Sequence, residues 1–205
     1  SDVTNNTVSI NGGTVSVDAF GGYSTNGNAE ANTVNISQAL SGNVYGGYSV
    51  NGKASNNRIN LYKGFSGKIY GGYSSTGSVT NNSLNMYGNT FSAKGIYNVN
   101  SINFYMPDTV RNGDILLQTP FTVSDEGTLI NATAENSLNL KTGESIYLLR
   151  GTIDTSRGAL GKGNISLGLP EDTPLLYHQW IENKNSDYVK LTIGEATVAG
   201  VLNPE

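Results

Sequence analysis

Gly21-Gly22-Tyr23-Ser24, Gly46-Gly47-Tyr48-Ser49 and Gly71-Gly72-Tyr73-Ser74 follow one another at intervals of 25 residues. Each has an aromatic residue just before it (Phe20, Tyr45, Tyr70) and a glycine four positions past its tyrosine (Gly27, Gly52, Gly77). A second landmark keeps the same step: Asn6-Thr7-Val8-Ser9-Ile10, Asn32-Thr33-Val34-Asn35-Ile36, Asn57-Arg58-Ile59-Asn60-Leu61 and Asn82-Ser83-Leu84-Asn85-Met86. Their leading asparagines are 26, 25 and 25 residues apart, the extra residue lying between Asn6 and Gly21.

A fixed period in this range marks a solenoid, a propeller or an array. Pairs such as Val34/Ile36 and Ile59/Leu61 alternate with polar residues, which gives strands with one buried face. Nothing in the unit has helical spacing, and a propeller blade needs about 40 residues or more. Twenty-five residues fit one coil of short strands at about 3.3 Å per residue. A single coil offers too few apolar side chains, at roughly 1.5–3 kcal/mol each, to offset a backbone ordering cost of about 1–2 kcal/mol per residue. Stability must come from stacking neighbours. The expected fold is therefore all-β, a right-handed parallel β-helix. Stacking at strand spacing brings Asn32, Asn57 and Asn82 together as an amide ladder, each side chain donating to the next.

The Gly-Gly pair has two structural readings, a corner at positive φ or a close backbone approach. A calcium loop of the Gly-Gly-x-Gly-x-Asp type is a third, but Tyr-Ser-x-x-Gly follows here and supplies no aspartate. The aromatic rows pose a similar choice between core and surface. If they face outward, Tyr45 and Tyr70 are the candidate ligand-facing residues, presenting flat rings to a sugar or protein. Lys53, Lys63 and Lys68 suggest a mildly basic face.

After residue 90 the pattern changes. Ser92-Ala93-Lys94-Gly95-Ile96-Tyr97 keeps a trace of the unit, and all five prolines lie beyond it. Strand-like runs continue at Ser101–Tyr105, Ile115–Gln118, Ser137–Leu140, Ser145–Arg150, Asn164–Leu169, Leu175–Ile181 and Tyr188–Ile193. Residues 1–97 are thus regular coils. Residues 98–205 are irregular coils ending in a hairpin-rich cap that protects the last edge strands.

Composition narrows the function. The net charge is −4, and 14% of residues are charged, which does not suit a nucleic-acid partner. There is no cysteine. His178 is the single histidine, and a catalytic histidine requires an orienting partner. No nucleophile elbow, zinc motif or phosphate loop occurs. Residues 1–97 hold three carboxylates, Asp2, Asp18 and Glu30. The adjacent pairs Asp125-Glu126 and Glu171-Asp172 read as solvated turns. The expectation is a protein that is not an enzyme, with no catalytic residue, cofactor or metal.

The repeat Asn-Thr-Val-Asn-Ile…Ser-Gly-Asn-Val-Tyr-Gly-Gly-Tyr-Ser resembles arrays in passenger regions of Gram-negative autotransporters (type V secretion). Ile102-Asn103-Phe104-Tyr105-Met106-Pro107-Asp108 is similar to the transition after such arrays. Ala196–Glu205 looks like the lead into the segment before the translocator barrel. The resemblance implies display on the extracellular face of the outer membrane, in a chain that continues into its own C-terminal outer-membrane barrel. It also implies that the portion from residue 98 folds first and templates the rest. Opening at Ser1-Asp2-Val3 inside a repeat, the sequence reads as an excised, monomeric piece. The expected function is a β-helical stalk and adhesin binding a protein or glycan on host or neighbouring cells. Two other classes stay open: a carbohydrate-active β-helix enzyme, and a passive spacer carrying an N-terminal functional domain.

Overall fold

The inward-facing apolar pairs of the repeat set the architecture. In a computed structural model, residues 1–64, 66–123, 127–168, 176–184 and 187–198 are described, with the backbone alone for 123, 176–184 and 195–198. Among these residues there is no helix, and the strands stack as a parallel β-solenoid.

Three sheets run along the stack. The first, here the Asn sheet, has seven strands: Thr7–Ile10, Thr33–Ile36, Arg58–Leu61, Ser83–Tyr87, Ser101–Met106, Leu129–Ala134 and Gly161–Ser166. The second, the Tyr sheet, runs from Ala19–Phe20 and Tyr23–Ser24 through Val44–Ser49, Lys68–Ser74, Gly95–Tyr97 and Ile115–Val123 to Ser145–Asp154. The third is a short sheet of two-residue strands, Val3–Thr4, Ala29–Glu30, Ala54–Ser55 and Val79–Thr80. It ends where the 25-residue period ends.

Register follows the repeat residue by residue: Tyr45 pairs with Tyr70, Gly47 with Gly72 and Tyr48 with Tyr73. Beyond the repeat Tyr70 pairs with Tyr97. Inward residues from the Asn sheet (Val34, Ile36, Ile59, Leu61, Leu84, Met86, Ile102, Phe104) meet Val44, Ile69 and Ile96 from the Tyr sheet. This core is continuous from Ile10 to Ile193, so the irregular half shares it with the regular half.

The Gly-Gly element lies inside strands Val44–Ser49 and Lys68–Ser74, not at a corner. Of its two structural readings, close approach is the one realised. A methyl group on the first glycine, Gly21, Gly46 or Gly71, would run into the carbonyl oxygen of Gly46, Gly71 or Asn98 in the next coil. A methyl group on Gly47 would lie 2.5 Å from the Asn57 amide nitrogen, and one on Gly72 would lie 2.7 Å from that of Asn82. Positive φ falls elsewhere, at Asn5, Ala31, Asn56 and Asn81, each just before the leading asparagine of its coil. Asparagine tolerates this left-handed conformation better than most residues.

The leading asparagines are the fastener. Nδ2 of Asn32 donates to Asn57 Oδ1 (3.2 Å) and that of Asn57 to Asn82 Oδ1 (3.0 Å). The same oxygens accept the backbone N–H of the preceding asparagine (both 3.0 Å). The second Nδ2 proton goes to a carbonyl of the coil before, Val3 for Asn32 and Ala29 for Asn57. All the amide valences are thereby satisfied in a buried position, which avoids the cost of an unpaired polar group. Ser24, Ser49 and Ser74 complete the unit. Each hydroxyl accepts from the N–H of Gly27, Gly52 or Gly77 and donates to the carbonyl of Ser1, Gly27 or Gly52.

The stack closes with antiparallel strands. Tyr188–Val198 pairs with Ser145–Asp154 on one side and Leu176–Lys184 on the other, the hairpin cap expected from the edge-strand argument. Ser137–Leu140, expected as a strand-like run, is not a strand. Leu138 and Leu140 fill the core there without ladder pairing. Leu129–Ala134 is a strand in a stretch where no run was expected.

Candidate ligand-facing surfaces

Two outward faces carry ordered rows of side chains. On the Tyr sheet, Phe20, Tyr45, Tyr70 and Tyr97 stack at centroid distances of 4.9, 4.6 and 5.0 Å. Beside them Tyr23, Tyr48 and Tyr73 stack at 5.0 and 4.7 Å. The rows meet edge to face, as at Tyr45 and Tyr48 (5.3 Å, 77°). The candidates Tyr45 and Tyr70 therefore alternate with core residues Val44 and Ile69 and lie on the outside, half-buried. Both ring faces of each are occupied by neighbours in the row. What they offer a ligand is ring edge and hydroxyl, not a flat platform. Burial in this double stack, with Tyr70, Asp18, Tyr48 and Tyr73 nearby, pushes the Tyr45 phenol up to about 12. Tyr48 is also raised, chiefly by desolvation. These hydroxyls remain protonated donors at neutral pH.

The Asn sheet presents three outward rows that sequence reasoning did not assemble. Its centre is a second amide ladder, Ser9, Asn35, Asn60, Asn85, Asn103 and Asn131, with side-chain bonds of 3.2, 2.9, 2.8, 2.7 and 2.7 Å. Each Nδ2 here donates to the coil before, the reverse of the buried ladder. One edge row reads Thr7, Thr33, Arg58, Ser83 and Ser101. The other contains Tyr62, Tyr87 and Tyr105, stacked at 5.0 and 4.6 Å. Between them lies a shallow groove of about 410 Å³, lined by Arg58, Asn60, Ser83, Asn85, Tyr87, Ser101, Asn103 and Tyr105. Burial of the Tyr87 ring, with Tyr105, Tyr62 and the Glu135 carboxylate nearby, raises its phenol, and Arg58 acts in the opposite direction. The Asn-x-x-Asn spacing in the repeat (Asn32/Asn35, Asn57/Asn60, Asn82/Asn85) was the available signal for this ladder, since both asparagines recur at the 25-residue period.

The three lysines do not share one face. Lys53 flanks the turn into the short sheet, whereas Lys63 and Lys68 bracket the turn between the other two sheets. Lys68 lies over the Tyr97 ring, its Nζ 5.9 Å from the centroid. The side chains of His178 and Trp180, and the acid pairs Asp125-Glu126 and Glu171-Asp172, lie outside the described residues. Among those described, no group of three histidine or acidic side chains is placed to hold a metal ion.

No protein family, curated protein or solved structure matches this chain.

Proposed function

We propose that this chain is a surface-displayed passenger segment of the autotransporter type, a β-solenoid stalk whose outer faces adhere to protein or glycan on host or neighbouring cells. The supporting observation is the use made of the repeat. Every recurring position of the Gly-Gly-Tyr-Ser-x-x-Gly and Asn units makes a contact with an adjacent coil, which leaves two outward faces carrying side chains in register. Coils about 4.8 Å apart extend such a face without any change in chemistry. On the Tyr sheet, Tyr45 and Tyr70 are assigned as a contact row through their hydroxyls and ring edges. Tyrosine suits this role because it is rigid and amphipathic.

Two measurements test the reading. Protease shaving and antibody labelling of intact source cells are expected to reach the chain from outside. Retention of the full signal inside protease-treated cells overturns display. The purified chain is expected to bind cells in a manner reduced by Tyr45→Ser/Tyr70→Ser, with folding checked by circular dichroism. Undiminished binding by that folded variant removes the Tyr row from the adhesive surface.

A further inference from the structure

The groove on the Asn sheet is built from departures from the repeat. At the first outward position most coils carry a small hydroxyl residue (Thr7, Thr33, Ser83, Ser101), and stacking asks for nothing larger; coil three has Arg58 instead. At the last outward position Ser37 precedes Tyr62, Tyr87 and Tyr105. The arginine and the tyrosines fall in the same consecutive coils, one on each side of the amide row. Four residues of extended strand separate the two walls by about 13 Å.

The floor has spare hydrogen-bonding capacity. Asn60, Asn85 and Asn103 each use one Nδ2 proton for the coil before and one Oδ1 lone pair for the coil after. Each amide carries two protons and two lone pairs. One donor and one acceptor per coil therefore remain, repeated about every 4.8 Å along the axis. Among the described residues Arg58 is the only charged one lining the groove, and it makes no ion pair or side-chain hydrogen bond with the others. Tyr62 is 47% exposed at the end of its row; its neighbour across the strand pair is the small Ser37, so one ring face is uncovered.

We propose that this groove binds a linear glycan containing carboxylated sugars, laid along the solenoid axis. Its hydroxyls bond in series to the Asn60, Asn85 and Asn103 amides. A sugar carboxylate takes the guanidinium of Arg58, a planar fork matched to that group. Charge complementarity selects an acidic glycan over a neutral one at the Arg58 end: among the described residues the lining holds one cation and no carboxylate, and the one acid felt at the opposite wall is Glu135, which acts on Tyr87 from outside the lining. An extended peptide is a poorer fit, because its alternating groups are spaced at about 3.3 Å per residue, not one set per coil. The assignment names a ligand class for the adhesive reading and rests on it only for its biological setting.

The test is calorimetric titration of the purified chain with three probes: an oligogalacturonate, an oligoglucuronate and a sialylated oligosaccharide, each beside its carboxyl-reduced form. At least one acidic probe is expected to bind, its reduced form about tenfold more weakly, the worth of one charged hydrogen-bonded contact. Arg58→Ser, which installs the residue type already present at Ser83 and Ser101, is expected to weaken the acidic probe to the level of the reduced one. Arg58→Lys is expected to restore part of the difference. If no acidic probe binds, if the reduced forms bind equally well, or if folded Arg58→Ser binds like the native chain, the assignment is wrong. Cell-surface shaving is independent of these titrations, so failure of the groove and failure of display are separately visible.

Discussion

Gly47 and Asn57 are expected to behave as one unit. The three atoms nearest to a methyl group on Gly47 would all belong to the Asn57 amide, at 2.5, 2.7 and 2.8 Å. That amide donates to Ala29 O and Asn82 Oδ1 and accepts two bonds from Asn32, all in buried or nearly buried surroundings. Gly47→Ala must therefore displace it. Overpacking costs about 1–3 kcal/mol, and each buried partner left unpaired adds about 1–3 kcal/mol, so about 3–5 kcal/mol is expected. Asn57→Ala strips the same partners and costs about 3 kcal/mol or more by the same reasoning. In that background the added methyl meets an emptied site, and Gly47→Ala should cost no more than about 1 kcal/mol. The coupling is about 2–4 kcal/mol, read from urea unfolding of the four variants by far-UV circular dichroism with the m-value held constant. The control pairs Gly47→Ala with Asn60→Ala, whose amide lies on the outward side of its strand, and should be additive. Equal costs of Gly47→Ala in the presence and absence of the Asn57 amide would refute the steric account of the glycine pair.

Ala31 holds a φ of 54° where Asn5, Asn56 and Asn81 occupy the equivalent corners; Ala31→Asn should raise stability by about 0.5–1 kcal/mol in the same assay. Thr122 Oγ1 is buried with no hydrogen-bond partner among the described residues, so Thr122→Val should stabilise by about 1 kcal/mol, and a loss of stability would show that the hydroxyl is satisfied. Alkaline titration followed by tyrosinate absorbance should show Tyr45 ionising near 12. Because its folded value lies above the unfolded one near 10, its contribution is complete below about pH 10 and is lost as pH rises towards about 12. Tyr45→Phe, which repeats the ring already at Phe20, should make unfolding less sensitive to pH across that window.

Much of this architecture can be read from spacing. The 25-residue recurrence of Asn32, Asn57 and Asn82 identifies equivalent points on stacked coils, and a buried asparagine at such points has few partners other than its neighbours. The alternation at Val34/Ile36 and Ile59/Leu61 marks the buried face for the same reason. Spacing is less informative where coil length varies. Asn82 is followed in the buried ladder by Asn100, 18 residues on, with a 2.9 Å bond from the Asn82 N–H to its Oδ1. The short sheet ends at Val79–Thr80, so the coil takes a shorter path that a fixed period cannot reveal. Tyr97 was visible as a trace of the unit, but its place as fourth ring of the row depends on that altered path. The groove was hidden for another reason. Arg58 and Tyr87 are unremarkable as residues, and they become a site only when three coils bring their outward rows together.

The buried asparagine ladder also acts as a ruler. Each amide bonds to equivalents on either side, so the stack can grow or shrink along its axis only by whole graduations. Removing one full coil, residues 32–56, would set Asn57 in the place of Asn32, directly above Asn6, and would leave every row continuous. A single residue lost or gained inside a strand would shift the rest of that strand across its pleat and turn its core residues outward. The extra residue of the first coil shows where the ruler gives: it lies between Ile10, which pairs with Ile36, and Val15, which pairs with Leu40, in the turn that follows strand Thr7–Ile10. Strands here are quantised and corners are elastic. A lineage of such proteins would therefore be expected to differ in reach by steps of about 4.8 Å while carrying the same lateral chemistry.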